Sequence, residues 1–506
     1  MRANNGNLSI FYATAVLGSS SFVTIAVSLV TTKLMAVLLG PHGYGYMGLL
    51  QSLVSVAALI AGWGVATGVV RFGAGQVAQN DWAGIAALQR AAWFVIGITG
   101  GISIIALITF RMPLSQLILG TTDYSVEVAL MGIVLMAGLS TNLLTGILNT
   151  YQRVKALAKM NIIGALLSGL TSVGFVVIWR EQGIVPSMIS GAFVGWLVSW
   201  RMLRKEVEPV YGHPQFRETF QAARKLLSFG GSYASSMVLG VGVQMALPIL
   251  VLQILGTESV GYYRAATGIS ITYLGFLISA MAQDYYPRIS AVSDQPHKLI
   301  ELANNQQRLI LLIAAPLILA TLALVPYIVP LLFSSQFLPA VEVLEWQLIG
   351  DLFKFSSWTM SFIILARCSS RTYFLTELTA GLAAAITSWV GIQWFGLEGL
   401  GISFVVTYII YYSVVWAVVR REINFVWSCA NTRLLVVAVT AMLIVRLMPS
   451  LGLIYWRTPV ALTFSAVAAI GSLYWIWQET TGGDFVVTRR LLTRIIDRLH
   501  FRRLSE

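Results

Sequence analysis

Apolar runs close to the roughly 20 residues that carry a helix across a hydrocarbon core recur along the whole chain, cut by short polar, glycine- or proline-containing stretches. This pattern predicts helices near residues 10–39, 44–70, 84–110, 126–150, 157–179, 184–203, 228–255, 259–286, 307–333, 340–366, 372–395, 398–419, 432–449 and 456–478, fourteen spans in all. Connections at 40–43, 180–183, 256–258 and 396–397 are so short that the helices they join must be antiparallel neighbours. The stretch from Lys33 to Arg71 shows the unit most clearly. One apolar segment ends, a Gly-Pro-His-Gly turn follows at 40–43, and a second apolar segment ends on an arginine, which is the pattern of a tight helical hairpin.

That hairpin returns 216 residues later. Leu39-Gly40 becomes Leu255-Gly256, Gly45-Tyr46 becomes Gly261-Tyr262, and Arg71 falls on Pro287, next to Arg288. The same offset carries Lys155 to Arg371, Gly183 to Gly399, and Arg204-Lys205-Glu206 to Arg420-Arg421-Glu422. One constant offset that joins turns to turns and basic clusters to basic clusters indicates an internal duplication. The expected organisation is an N-terminal six-helix lobe at 1–206, a cytoplasmic linker at 207–227, a C-terminal six-helix lobe at 228–422, two extra spans at 423–480 and a basic tail at 481–506. Six spans per copy is an even number, so the copies enter the membrane in the same direction. Transporters built that way commonly place the substrate path between the halves, and a central cavity is the expected site.

Composition agrees with the pattern. Hydrophobic residues make up 57% of the 506, charged residues only 11%, and the mean hydropathy is +0.77; so little polar side chain would not cover a soluble surface. The fold class expected is an all-α integral membrane protein of two pseudo-symmetric lobes. The first apolar run is longer than a signal-peptide core and is read as a retained span. With the N-terminus inside, the outer side receives only Arg111, Arg180, Arg446 and Arg457 among the basic residues of loops and flanks, an asymmetry that places both termini in the cytoplasm. In the tail, Leu491, Leu492, Ile495, Ile496 and Leu499 fall at helical spacing with Arg490, Arg494 and Arg498 on other faces, so it is expected to lie on the inner leaflet.

Enzymatic motifs are missing from the sequence: no phosphate-binding glycine loop, no zinc spacing, no Gly-x-Ser-x-Gly elbow. Two cysteines, Cys368 and Cys429, make no disulfide framework, and no cofactor, metal or nucleic-acid partner is expected. The informative residues are ionisable groups in or at the ends of spans, because a charge at the bilayer centre costs at least about 2.5–3.5 kcal/mol. Lys33 and Arg264 lie in the outer halves of the first and eighth spans, where positive charge is otherwise scarce. Arg71 and the Asp284/Arg288 pair mark inner ends, where Arg71 and Arg288 are also placed to snorkel. Asp351 and Lys354, three apart in the tenth span, share a face as either a gating or a structural pair. Glu377 sits early in the eleventh. A cavity bearing Lys33, Arg71, Arg264, Arg288 and Lys354 would suit a phosphate, while Asp284, Asp351 and Glu377 are candidates for gating or for coupling a proton or sodium ion.

The block FSSQFLPAVEVLEWQLIGDLFKFSSWTMSFIILARCSSRTYFLTEL at 333–378, with Trp346-Gln347-Leu348, Gly350-Asp351 and Lys354, and the KLMAVLLGPHGYG stretch from Lys33 resemble bacterial O-antigen and enterobacterial-common-antigen lipid-oligosaccharide flippases. These form the polysaccharide-transporter branch of the multidrug, oligosaccharidyl-lipid and polysaccharide exporter superfamily. The resemblance implies a transporter rather than an enzyme, moving an undecaprenyl-pyrophosphate-linked oligosaccharide across the inner membrane by alternating access, with Lys33, Arg71, Asp284, Arg288, Asp351 and Lys354 in its cavity or gates. It also implies work alongside a polysaccharide polymerase and a chain-length regulator. Two rival expectations remain: a cation antiporter of the same superfamily and a membrane polysaccharide polymerase or ligase. Relatives often have twelve spans, so the last two here have no assigned role.

Overall fold

Each of the fourteen expected spans falls on a helix in the computed structural model, which describes residues 2–207 and 215–481. The basic tail lies outside those residues. The helices run α1 (Arg2–Gly62), α2 (Val65–Ala78), α3 (Trp82–Thr109), α4 (Arg111–Leu119), α5 (Ser125–Thr150), α6 (Val154–Trp179), α7 (Ile184–Glu206), α8 (Phe216–Leu255), α9 (Thr257–Ala291), α10 (Pro296–Leu332), α11 (Ala340–Arg367), α12 (Ser370–Phe395), α13 (Glu398–Ile423), α14 (Cys429–Leu447) and α15 (Ile454–Thr481). The described residues hold no strand. Among the described residues ten stretches are long and apolar enough to cross a membrane, and two of them, Ser20–Gly62 and Val154–Glu206, each contain two helical limbs.

Local chemistry sets the breaks. Gly40, at φ 65° and ψ −175°, divides α1 into two limbs. Pro41 follows at the start of the second limb, where its missing N–H costs nothing. Gly256 adopts nearly the same conformation, φ 83° and ψ 175°, between α8 and α9, so the duplicated position carries a duplicated backbone bend. Arg180 (φ 51°) and Gly396 (φ 57°), also 216 apart, repeat the correspondence at the turns after α6 and α12. Asp81 caps α3 by accepting from the Gly84 N–H at 2.9 Å, and Gln215 with Glu218 forms a capping box on α8.

Two local expectations are corrected. The second span does not run unbroken to residue 70, because Trp63 (φ 42°) and Gly64 (φ 63°) separate α1 from α2. The Trp63 indole N–H donates to the Leu227 carbonyl at 3.0 Å, and a Cβ on Gly230 would collide with the Trp63 backbone, so the approach of α8 fixes the break. The stretch after α3, read as a connection, forms the short helix α4, with Pro113 in its first turn. In addition, α8 begins at Phe216, inside the stretch expected to link the two lobes.

Contacts gather the chain into two units. The first comprises the residues up to Gly268 with Ile328–Val343 and Glu377–Ser403. Within it α6 packs on α7 and on α1, α5 on α7, α3 and α2, and α8 on α1 and α3. The second unit comprises Ile269–Tyr327, Leu344–Thr376 and the residues from Phe404 onward. It holds the two helices without an upstream counterpart, α14 and α15, which pack on each other and are tied to α10 by polar contacts. Asn431 Nδ2 donates to the Asn304 carbonyl at 2.8 Å, Asn304 Oδ1 accepts from the Ser428 N–H at 2.7 Å, and Ser465 Oγ donates to the Pro316 carbonyl at 2.8 Å.

Candidate functional site

In the first unit the second limb of α1 crosses the start of α9 at duplicated residues. A Cβ on Gly45 would fall on the Thr257 carbonyl, and one on Gly261 would fall on the Pro41 carbonyl. Pro41 and Thr257 are themselves 216 apart, as are Gly45 and Gly261. The contact is therefore reciprocal, the signature of a local two-fold relation between the two copies. One turn further, the pair Gly48 and Arg264 breaks this symmetry in chemistry. Arg264 lays its guanidinium across the glycine, donating to the Gly48 carbonyl, to Ser52 Oγ at 3.2 Å and to Gln51 Oε1 at 3.3 Å. Around the crossing, Tyr44 meets the edges of Phe333 and Phe337 at 5.7 Å each, and Tyr262 meets Phe337 at 6.2 Å.

Lys33, on the first limb of α1, donates to the Leu331 carbonyl at the end of α10. Arg71, on α2, is exposed and holds its guanidinium 4.9 Å from the Phe229 ring and 5.8 Å from the Phe72 ring. Among the described residues Lys33 meets a carbonyl, Arg71 two rings, and Arg264 a carbonyl, a hydroxyl and an amide; none of these partners is a carboxylate. Within the described residues these three cations are held by neutral groups.

The other two predicted cations are paired. Arg288 Nη1 lies 3.1 Å from Asp284 Oδ2, one turn away on the exposed end of α9. Lys354 Nζ lies 3.4 Å from Asp351 Oδ1, and both residues are buried. Asp351 also accepts from Ser270 Oγ at 2.8 Å, while the Lys354 ammonium sits within 6 Å of the Trp358, Phe404 and Tyr408 rings, at 5.9, 5.6 and 5.7 Å. Ion pair, hydroxyl and aromatic cage together offset the desolvation of two charges. Glu377 is half-buried on α12 and falls in the first unit. Beside Asp351, α11 also presents Ser356 and Thr359 to Gln307 of α10, with Thr359 Oγ1 donating to Gln307 Oε1 at 3.2 Å.

One cluster escaped the sequence reading. Glu345, one turn into α11, is 3% exposed and takes both Arg446 of α14, at 3.0 Å, and Arg457 of α15. Arg446 and Arg457, expected at outer flanks, are drawn together by this one buried carboxylate. The available signal was their rarity on that side, which asked for a partner. His42 Nδ1, expected as a turn residue, lies 3.4 Å from Glu181 Oε1.

A family model described as polysaccharide biosynthesis protein matches residues 34–342. The Lipid III flippase of Escherichia coli (strain K12) is 25% identical over 403 residues, covering 78% of this chain and 94% of the relative, and the Lipid III flippase of Shigella flexneri gives the same figures. Among solved structures, Lipid II flippase MurJ in an inward closed conformation has a TM-score of 0.70 at 12% identity and covers 92% of this chain and 100% of that one. An inward-facing multidrug resistance MATE family transporter of the MOP superfamily has a TM-score of 0.67 at 14% identity, covering 80% and 95%. The structural likenesses are likenesses of fold, and these relatives are transporters rather than enzymes. With the family model spanning more than half of its length, this multi-helical chain belongs to the polysaccharide biosynthesis protein family.

Proposed function

We propose that this protein is a flippase for a lipid-linked oligosaccharide, moving it from the inner to the outer leaflet of the bacterial cytoplasmic membrane by alternating access. The observation that carries the reading is the similarity to the Lipid III flippase over 94% of that relative's length. The chemistry of the chain supports a pyrophosphate-linked substrate of the undecaprenyl type, with an O-antigen-like repeat unit as cargo. Lys33, Arg71 and Arg264 carry charge that neutral partners orient without neutralising, and such groups attract a phosphate where water is scarce. Only the head group needs a polar path; the prenyl chain stays in lipid. Arg288 and Lys354, already paired with carboxylates, serve gating rather than first capture, and Asp284, Asp351 or Glu377 would take a coupling proton or sodium ion. A polysaccharide polymerase and a chain-length regulator are the partners this reading implies.

The MATE likeness supports the fold but not a cationic cargo, which these three cations would repel. Complementation separates the two readings. In cells whose own lipid-oligosaccharide flippase is depleted, the chain should restore surface glycan, and Lys33→Ala, Arg71→Ala and Arg264→Ala should each lose that ability at normal membrane levels. Failure to complement, together with gradient-driven uptake of an organic cation by purified protein, would replace the flippase by the antiporter.

A further inference from the structure

The last helix of each copy ends in the same cluster. Trp200, Arg204, Lys205 and Glu206 close α7, and Trp416, Arg420, Arg421 and Glu422 close α13. Between residues 193 and 203 and their counterparts 409–419, only Val198/Val414 and Trp200/Trp416 are identical, and Arg201 has become Ala417. The two copies thus differ in a nearby positive charge while sharing the tryptophan and the arginine one turn beyond it.

The geometry is kept as well. The Arg204 guanidinium carbon lies 4.2 Å from the Trp200 ring, and that of Arg420 lies 4.9 Å from the Trp416 ring. Arg204, Lys205, Arg420 and Arg421 are exposed. In each case one face of the guanidinium rests on an indole, and its in-plane N–H fork is left to meet a phosphate. Tryptophan prefers the depth of lipid headgroups. In α7 the indole continues an aromatic row, Trp196 stacking on Trp200 at 6.3 Å and Phe193 lying tilted against Trp196 at 5.4 Å, with Phe193 exposed. The start of α6 packs on the same end of α7, through Ala156, Leu157 and Met160 against Val198, Met202 and Leu203, which brings Arg153 and Lys155 to this end. The counterpart of Lys155, Arg371, stands at the start of α12. Glu206 and Glu422 lie two positions beyond the arginines, about 200° around the helix, and Glu422 acts electrostatically on Cys368.

We propose that these clusters are two duplicated sites for the phosphate of an anionic phospholipid, one at the end of α7 and one at the end of α13. Charge bias alone would tolerate a basic residue anywhere near the helix end; it gives no reason to keep an arginine stacked on a tryptophan twice. The sites are separate from the translocated substrate, and their test does not use transport.

Purified full-length protein in mixed micelles is titrated with phosphatidylglycerol against phosphatidylcholine, and bound lipids are counted by native mass spectrometry. Arg204→Gln and Arg420→Gln should each weaken one phosphatidylglycerol site about fivefold, the equivalent of about 1 kcal/mol per basic side chain at an anionic surface. The double variant should lose the preference for phosphatidylglycerol, Trp200→Leu with Trp416→Leu should reproduce most of that loss with all charges present, and Arg201→Gln should retain the preference. A double arginine variant that keeps wild-type lipid retention overturns the proposal. So does an equal loss in Arg201→Gln, which would mean undirected charge, or full displacement by millimolar inorganic phosphate, which would mean a site for the free ion.

Discussion

Removing the Glu345 carboxylate should do more damage than its position near a helix end suggests. Glu345 is 3% exposed, and the side chains of Arg446 and Arg457 are 12% and 10% exposed. Glu345→Ala therefore strands two guanidinium groups away from water. Breaking a buried ion pair from one side costs about 3–5 kcal/mol, chiefly through the charge left behind, and here two charges are left behind. Because Arg446 belongs to α14 and Arg457 to α15, the cost falls on the docking of these helices against α11. The expected result is a large drop in melting temperature, with early protease cleavage in the connection between α13 and α14. Arg446→Met should cost less, since Arg457 and Glu345 remain as a neutral pair. The triple replacement Glu345→Leu, Arg446→Met, Arg457→Met should recover much of the loss, because apolar groups of similar volume do not need to be paired. A Glu345→Ala protein that melts and resists protease like the wild type would refute the reasoning.

Further outcomes follow from other contacts. Gly45→Ala and Gly261→Ala each place a methyl on a backbone carbonyl of the other helix; overpacking of this kind costs about 1–3 kcal/mol, and because the contact is reciprocal the two should lower thermal stability by similar amounts, so a neutral result at either would contradict the crossing. Lys354→Met alone leaves Asp351 buried without its cation and should destabilise more than Lys354→Met with Asp351→Asn, as a double-mutant cycle in melting experiments would show. Burial raises the Cys368 thiol above its ordinary value, helped by Glu422 and opposed by Arg367, so less thiolate is present at pH 8. Its alkylation should climb with pH beyond the range of an ordinary thiol, and exposed Cys429 should be modified first; equal rates at pH 8 would contradict this.

What the sequence disclosed is what depends on near neighbours. Apolar run length gives the helices, and the Gly40/Gly256 correspondence gives a bend that only the local backbone requires. Asp351 and Lys354 meet because three residues of helix bring them together. The break at Trp63 was hidden because it depends on α8, more than 160 residues away in sequence. Glu345 resembled an ordinary acid in the first turns of a span, since its partner Arg457 is 112 residues distant. Among the candidate cations, position alone did not separate Lys33, Arg71 and Arg264 from Arg288 and Lys354; the identity of the group each one touches did.

Translocation itself tests the central claim. Purified protein in liposomes, with a proton or sodium gradient imposed, should expose an undecaprenyl-pyrophosphate oligosaccharide to an impermeant probe on the opposite side, and Lys33→Ala, Arg71→Ala and Arg264→Ala should each slow that exposure sharply. The account is contradicted if the folded wild-type protein leaves the lipid inaccessible under either gradient, or if the triple alanine variant translocates it at the wild-type rate.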